Sequence, residues 1–115
     1  MSKANLHQVL NRASEIVLSV KGRKSGRDIS RRVWFVCEGN TLYLLPNYGS
    51  DTNWYKNLLV DPALKISVNG LEIPVRGKPI TDRNRVNDIF GKFESKYSEV
   101  KKYYPKLDVA VEVPL

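Results

Sequence analysis

The sequence of 115 residues contains only one cysteine, Cys37, and one histidine, His7. A single cysteine excludes an internal disulfide framework and is typical of a reducing compartment. One histidine and one cysteine do not make a zinc cluster, so we predict no metal site. A Ser-His or Cys-His nucleophile would need His7, and no supporting motif surrounds it. If the protein is an enzyme, we therefore expect a cofactor to carry its chemistry.

Long apolar runs are also missing. No run reaches the roughly 18–20 residues of a membrane-spanning helix, and residues 1–13 lack the unbroken apolar core of a signal peptide. No GxGxxG motif follows a predicted strand, and the GRKSGR run at 22–27 lacks the Walker A pattern. A content of 42% hydrophobic and 10% aromatic residues is typical of a globular protein. We expect one domain over residues 1–115 and, by default, a cytoplasmic location.

Positive charge is abundant, and it is concentrated in one segment. The net charge is +7, and residues 21–32 alone hold six basic side chains and one acidic side chain, a net +5. The other 103 residues carry 13 basic and 11 acidic groups, a net +2. A local patch of this kind indicates a specific anionic partner, either a phosphorylated small molecule or a nucleic acid.

The GRKSGR run is the centre of this patch. Its two glycines allow a tight backbone whose N–H groups can face an anion. The run also supplies three cations and a hydroxyl donor, and arginine can hold a phosphate through two parallel hydrogen bonds. Phosphate binding, a solvated basic turn and nucleic-acid binding are the three interpretations of this run.

Hydrophobic periodicity predicts three helices and six strands. The helices are expected at 4–13, from Ser50 or Asp51 to about Val60, and at 82–104; the strands at 15–20, 29–37, 41–46, 64–68, 71–80 and 107–113. Asn69-Gly70 predicts a hairpin turn, and the prolines of segment 71–80, Pro74 and Pro79, suit an edge strand or a bulge. The fold class predicted is α+β, an antiparallel split β-barrel of about six strands with two to three flanking helices.

The NWYKNL run at 53–58 begins the second predicted helix. Trp54 and Leu58 lie four residues apart, which is typical of packing into a core. The start of this helix also carries free N–H groups and the positive end of the helix dipole, which can border an anionic ligand. Both interpretations can hold together.

The ordered set of these motifs resembles the deazaflavin-dependent nitroreductase family. The set comprises GRKSG, a strand ending W-F-V, an acidic-Gly turn, an L-Y-L strand, and W-Y-x-N-L before a D-P turn, within residues 14–113. The resemblance implies a split barrel related to pyridoxamine-phosphate-oxidase-like flavin-binding proteins. It implies binding of the reduced deazaflavin coenzyme F-420, or alternatively FMN, and hydride transfer to a small-molecule quinone, nitro compound or activated alkene. It also implies that a homodimer can form across the cofactor sites.

The resemblance assigns roles to particular residues. The basic loop would lie along the phosphate and tail of the cofactor. The next strand would lie beside the cofactor ring, and the end of the third strand and the start of the second helix would surround that ring. The cofactor-binding residues implied are Arg23, Lys24, Ser25, Arg27, Ser30, Arg32, Trp34, Leu45, Pro46, Asn47, Asn53, Trp54, Tyr55 and Asn57. Tyr103, on the last helix, is the implied proton donor or substrate contact. The chain departs from the family's P-R-x-x-P pattern immediately after Arg27; Arg31 or Arg32 could replace the arginine, and strand alternation places only one of them on each face.

Two other functions are consistent with the same residues. A non-catalytic protein could hold a flavin or another phosphorylated ligand without turnover. A nucleic-acid-binding barrel could use the basic segment with Trp34, Tyr43 and Trp54 as stacking groups. The basic loop itself contains no aromatic residue, so we expect no nucleic-acid partner.

Overall fold

The computed structural model of the chain describes the backbone of residues 3–115 and the side chains of residues 6–115. Its helices are α1 (Lys3–Arg12), α2 (Asn53–Val60) and α3 (Arg83–Lys96). Its strands are β1 (Ile16–Lys21), β2 (Asp28–Val33), β3 (Val36–Glu38), β4 (Thr41–Leu44), β5 (Ala63–Val68), β6 (Leu71–Arg76), β7 (Lys78–Ile80) and β8 (Ala110–Pro114). Short 3₁₀ turns cover Gly49–Asp51 and Val100–Tyr103. No helix in this part of the chain has the length and apolar character needed to cross a membrane.

The strands form two sheets of four strands each. The strand orders are β2-β1-β5-β6 and β3-β4-β8-β7, and all the pairings are antiparallel. The predicted α+β split-barrel class is confirmed. In the described residues, the two sheets remain separate instead of closing into one continuous barrel.

There are eight strands instead of about six because the chain changes sheets inside two of the predicted strands. The predicted strand 29–37 is interrupted at residues 34–35, and 71–80 is interrupted at Gly77. A Cβ atom at Gly77 would lie 2.6 Å from Cδ1 of Leu58 and 2.9 Å from Cδ1 of Leu64, so a larger residue at the crossing would displace these two core side chains. Pro74 and Pro79 lie on β6 and β7, which are edge strands, as the sequence predicted.

The last helix is shorter than predicted. It ends at Lys96 instead of continuing to residue 104, because Tyr97 adopts an extended backbone with φ −121° and ψ 142°. The 3₁₀ turn that follows begins after Glu99, whose backbone is left-handed with φ 54°. The apolar stripe nevertheless stays buried, since Val100 and Tyr104 reach the same core from the following 3₁₀ turn and loop. The sequence alone did not reveal this change of backbone, because the side-chain spacing remains helical.

The second helix fixes the position of the candidate site. It ends at Val60, as predicted, but its first flanking residue is Thr52 instead of Ser50 or Asp51. Trp54 and Leu58 pack into the core cluster formed by β1, β4, β5 and β8. Burial of a leucine side chain such as Leu58 stabilises a fold by about 1.5–3 kcal/mol. Trp54 in the first turn and Leu58 in the next therefore anchor α2 against the sheets.

Candidate functional site

The GRKSGR run forms the whole connection between β1 and β2. An ion pair of 2.8 Å between Lys21 and Asp28 closes it, and their hydrogen bond raises the pKa of Lys21 and lowers that of Asp28. Inside the loop, the Gly22 N–H donates to the Arg27 carbonyl at 2.8 Å, and the Gly26 N–H donates to the Gly22 carbonyl at 2.8 Å. Gly26 has φ 71°, which glycine adopts without strain. The loop thus has a defined shape.

A buried asparagine of α2 anchors this loop. Oδ1 of Asn57 accepts hydrogen bonds from the backbone N–H of Arg23 at 3.1 Å and from its guanidinium at 2.7 Å. The same guanidinium also lies 3.5 Å from the carbonyl oxygen of Asn53. Asn57 is 3% exposed, so these bonds form largely away from solvent. They bring the basic loop against the first turns of α2.

Two side-chain donors beside the loop have no protein partner. Neither Nδ2 of Asn57 nor Nε1 of Trp54 donates to another residue of the described chain. Among the described residues, only one side-chain nitrogen or oxygen is both fully enclosed and without a hydrogen-bond partner, and it is Nε2 of His7. Because Nδ2 of Asn57 and Nε1 of Trp54 also have no partner, both atoms must keep some accessible surface. Trp54 is only 6% exposed, and both residues line a cavity. Both donors are therefore open to water or to a ligand.

The cavity between the basic loop and α2 has a volume of about 290 Å³. It brings together six of the residues that the sequence assigned to cofactor binding: Arg23, Lys24, Ser25, Asn53, Trp54 and Asn57. Ser25 also shapes the loop, because its Oγ accepts the N–H of Arg27 at 3.2 Å. This cavity combines cations with neutral N–H donors, a combination suited to a phosphate.

A second cavity of about 280 Å³ adjoins the first. The two share Arg31, Asn53 and Trp54, and the second is bounded on its far side by Asn47 and Tyr48. We call the two cavities together the basic groove. Tyr48 is 63% exposed and makes an aromatic rim for the second cavity.

The rim of the second cavity is held in place by polar contacts. The Tyr48 N–H donates to Oγ1 of Thr52 at 2.9 Å, so this hydroxyl does not cap α2. The backbone N–H and hydroxyl of Ser50 donate to Asp108 at 2.9 and 2.5 Å, and Lys106 contacts Asp51 at 2.8 Å. These bonds tie the loop before α2 to the segment that leads into β8.

The two arginines of β2 face in different directions. Arg31 pairs with Leu18 and shares the core-facing side of the sheet, where it lines both cavities. Arg32 pairs with Val17, and although it borders the second cavity, its guanidinium lies 3.6 Å from the carboxylate of Glu15. The resemblance assigned Arg32 to the site, with Arg31 as the alternative; Arg31 lines both cavities, whereas Arg32 borders only the second.

Several assigned residues lie outside the groove. Those that line neither cavity are Arg27, Ser30, Trp34, Leu45, Pro46 and Tyr55. Ser30 is on the opposite face of the sheet, where its hydroxyl lies 2.9 Å from that of Ser19. Leu45 and Tyr55 belong to the two core clusters. Strand alternation therefore removes Ser30 from the groove, and core packing removes Leu45 and Tyr55.

The tryptophan and the tyrosine assigned near the ring contact each other elsewhere. Trp34 stacks on Tyr97 with ring centroids 4.4 Å apart and planes at 3°, and Tyr103 meets its edge at 5.1 Å. Trp34 is drawn there because the chain crosses from β2 to β3 and enters the second core cluster. Tyr103 is 50% exposed and lines neither cavity, so the groove geometry gives no support to a role for it beside the ring.

A family model matches nearly the whole chain. It is described as uncharacterized protein conserved in bacteria (DUF2255), and it matches residues 6–112. No curated protein matches the sequence.

Solved structures share the fold at low sequence identity. A candidate 5-nitroimidazole antibiotic resistance protein from Bacteroides thetaiotaomicron VPI-5482 aligns with a TM-score of 0.77 and 13% identity, over 98% of this chain and 79% of that one. An F420-H2 dependent reductase aligns with a TM-score of 0.67 and 17% identity, over 87% and 93%. A candidate pyridoxamine 5'-phosphate oxidase from Listeria innocua aligns at 0.72 and 13%, over 98% and 91%. These likenesses show the fold.

Proposed function

We propose that this chain, which belongs to the family of uncharacterized proteins conserved in bacteria (DUF2255), is an oxidoreductase that binds a flavin-type cofactor in the basic groove. The cofactor proposed is the reduced deazaflavin coenzyme F-420, with FMN as the alternative. The electron acceptor proposed is a quinone, a nitro compound or an activated alkene.

The observation that carries this proposal is the donor set of the first cavity. Arg23 and Lys24 bring positive charge to it, and Asn57 and Trp54 present N–H groups that no described residue uses. Both N–H groups keep accessible surface and can donate to a ligand, and donors beside cations favour an anionic one. A phosphate supplies several acceptor oxygens and forms charge-assisted hydrogen bonds of this kind.

The size of the groove supports an elongated ligand. Each cavity alone, at about 280–290 Å³, lies at the lower limit of the roughly 300–1,000 Å³ that is usual for cofactor sites. The two adjoin at Arg31, Asn53 and Trp54, so together they suit a ligand with a phosphate end and a ring end. The basic loop would hold the phosphate end, and the second cavity, with Tyr48 at its rim, would receive the ring.

The residues of the chain would bind and orient the cofactor instead of reacting themselves. When bound in reduced form, the cofactor would supply a hydride, that is, one hydrogen with two electrons, and the acceptor would take up a proton from solvent. Arg23, Lys24 and Arg31 would neutralise the phosphate and the polar edge of the ligand. Tyr48 would restrict which acceptors approach the second cavity, since its exposed side chain forms the rim.

The comparisons support the proposal through the shared fold. The aligned proteins include one named as an F420-H2 dependent reductase and one named as a candidate pyridoxamine 5'-phosphate oxidase. At 17% and 13% sequence identity, these alignments show a shared fold. The specific cofactor and the electron acceptor are parts of the proposal.

One observation favours a second candidate function, a non-catalytic cofactor-binding protein. The residue assigned as proton donor, Tyr103, lies outside the groove, against Trp34. The nucleic-acid hypothesis receives no such support. Of the three stacking groups named for it, Trp54 is buried, Trp34 is stacked on Tyr97, and Tyr43 packs against the second core cluster.

Absorbance and fluorescence titrations of the purified protein test the proposal. We expect saturable binding of reduced coenzyme F-420 or of FMN, followed by oxidation of the bound reduced cofactor when a quinone or nitro compound is added. Binding without oxidation would establish the non-catalytic function. The absence of binding to either cofactor would contradict both functions.

A further inference from the structure

Ser25 carries a free hydroxyl at the centre of the most basic segment of the chain. It is exposed, lines the first cavity, and lies between Lys24 and Arg27 in the connection from β1 to β2. Its Oγ accepts the N–H of Arg27 at 3.2 Å, and no described residue accepts its hydroxyl proton. This hydroxyl is therefore accessible to covalent modification.

The positive charge beside Ser25 is not neutralised within the loop. Lys24 and Arg27 form no ion pair with any residue of 6–115, whereas Lys21 is paired with Asp28 at 2.8 Å. Asp28 is also the one acidic residue of segment 21–32. A phosphoserine carries a charge of about −1.5 to −2 at pH 7 and adds acceptor oxygens, so these cations would stabilise it through charge-assisted hydrogen bonds.

The sequence around Ser25 also suits recognition by a kinase. Arg23 and Lys24 directly precede the serine, and Arg27 follows it by two positions. No other serine of the chain directly follows two basic residues. A kinase whose peptide-binding site is acidic would therefore select Ser25 by charge over the other serines.

We propose that Ser25 is a phosphorylation site and that its phosphate binds among the cations of the first cavity. In the modification, the hydroxyl oxygen of Ser25 attacks the terminal phosphorus of a nucleoside triphosphate. The bond from that phosphorus to its bridging oxygen breaks, the diphosphate leaves, and the hydroxyl proton passes to a base of the kinase.

Phosphorylation would close the groove to the cofactor. The phosphate on Ser25 occupies the end of the groove that the proposed function assigns to the phosphate of the cofactor, and its charge repels a second phosphate. This consequence rests on the proposed function. The contact between the phosphoserine and the loop cations does not.

Phosphoserine introduced at position 25 by genetic-code expansion tests that contact without a cofactor. Phosphoserine at position 30 is the control, because Ser30 lies on the same hairpin, lines neither cavity, and has its hydroxyl 2.9 Å from that of Ser19 on the opposite face. Phosphorus-31 NMR gives the second pKa of each phosphate, which is ordinarily about 6. We expect this pKa to be at least about half a unit lower at position 25 than at position 30, since nearby cations favour the doubly charged form. Lys24→Ala should reduce the difference.

Two further measurements test the modification and its consequence. A serine kinase that selects preceding basic residues, incubated with the protein and ATP, should phosphorylate Ser25 faster than any other serine, as judged by peptide mass spectrometry. In titrations with FMN and coenzyme F-420, phosphoserine at position 25 should weaken binding at least about 30-fold, and phosphoserine at position 30 less than about threefold.

The outcomes separate this inference from the proposed function. Equal pKa values at the two positions, or phosphorylation of other serines in place of Ser25, would overturn the inference. Equal cofactor affinity with and without phosphoserine at position 25 would overturn the closing of the groove. If the phosphate at position 25 has the lowered pKa and the kinase selects Ser25, but the unmodified protein binds neither cofactor, the proposed function fails and the phosphorylation site stands.

Discussion

The guanidinium of Arg23 lies 2.7 Å from the amide oxygen of Asn57, and this contact joins the most basic segment of the chain to the eight-residue helix α2. The backbone N–H of the same arginine reaches the same oxygen at 3.1 Å. The loop cations are therefore not a freely moving basic turn. They are presented in a defined arrangement next to the first turns of α2.

A cation that lines the groove is expected to contribute more to cofactor affinity than an equal charge that lies outside the groove. Lys24 lines the first cavity, whereas Arg27 of the same loop does not. Lys24→Ala should weaken cofactor binding about tenfold, or about 1.4 kcal/mol, because a charge-assisted contact to the phosphate is lost. Dissociation constants of the cofactor for the unmodified protein and for Lys24→Ala, measured at a low and a high salt concentration, test this prediction.

The control for this prediction is Arg27→Ala, which removes the same charge from the same loop. Its effect should be smaller and should largely disappear at high salt, since only a screened long-range attraction is lost. If both variants bind equally weakly at high salt, the specific contact of Lys24 is contradicted.

The two arginines of β2 provide a second comparison. Arg31 lines both cavities, and Arg32 is paired with Glu15 at 3.6 Å. We expect Arg31→Ala to weaken cofactor binding by at least tenfold and Arg32→Ala by less than threefold. Equilibrium titration of both variants checks this. A larger effect at Arg32 would show that the ligand lies on the other face of the sheet.

The loop before α2 should depend on glycine at position 49. Gly49 has φ 56°, and a Cβ atom there would overlap a carboxylate oxygen of Asp108 and lie 3.0 Å from the carbonyl of Lys106. We expect Gly49→Ala to destabilise the protein by about 2–4 kcal/mol, from left-handed strain and overpacking together. Chemical denaturation measures the change in the free energy of unfolding.

Gly39 is the matched control for this substitution. It has φ 60°, but a Cβ atom added there would meet nothing within 4 Å beyond its chain neighbours. Gly39→Ala should therefore show only the backbone strain of about 1–2 kcal/mol. Equal losses of stability in the two variants would exclude the contact with Asp108 as the cause.

Acid should weaken the same loop through Asp108. Burial raises the pKa of this carboxyl, but the two hydrogen bonds from Ser50 and the charge of Lys106 lower it by more, so it lies below the usual 3.8. A carboxyl whose pKa is lower in the folded state stabilises the fold above its unfolded pKa, and this stabilisation is lost as pH falls through the folded pKa. The loss should therefore begin below about pH 4.

Melting temperatures of the unmodified protein and of Asp108→Asn between about pH 7 and pH 2.5 test this dependence. The variant should melt a few degrees lower at neutral pH, and the two curves should converge toward the acid end of the range. Parallel curves over the whole range would contradict a stabilising role for the ionised carboxyl.

Local sequence signals predicted those features that depend on neighbouring residues. Charge and two glycines located the connection between β1 and β2 at 22–27, and Pro62 located the end of α2 at Val60. The crossings between sheets depend on contacts with distant residues. For this reason the strand 29–37 was predicted as continuous, although Trp34 leaves it to stack on Tyr97.

The grouping of the assigned residues in space follows the same rule. Six assigned residues meet in the first cavity because they belong to one loop and one helix that pack together. The choice between Arg31 and Arg32 depends on strand register, and Leu18 opposite Arg31 decides it. The anchoring of Arg23 by Asn57 joins residues 34 positions apart, and no local pattern could have shown it.

The central claim is that the basic loop and α2 hold the phosphate end of a redox cofactor. Titration of the purified protein with FMN and with riboflavin, which has the same ring without the phosphate, tests it most directly, together with coenzyme F-420 and its phosphate-free form. We predict that each phosphorylated cofactor that binds does so at least 30-fold more tightly than its phosphate-free form, a difference of about 2 kcal/mol. Equal affinity for the two forms, or no binding of either cofactor, would contradict the account.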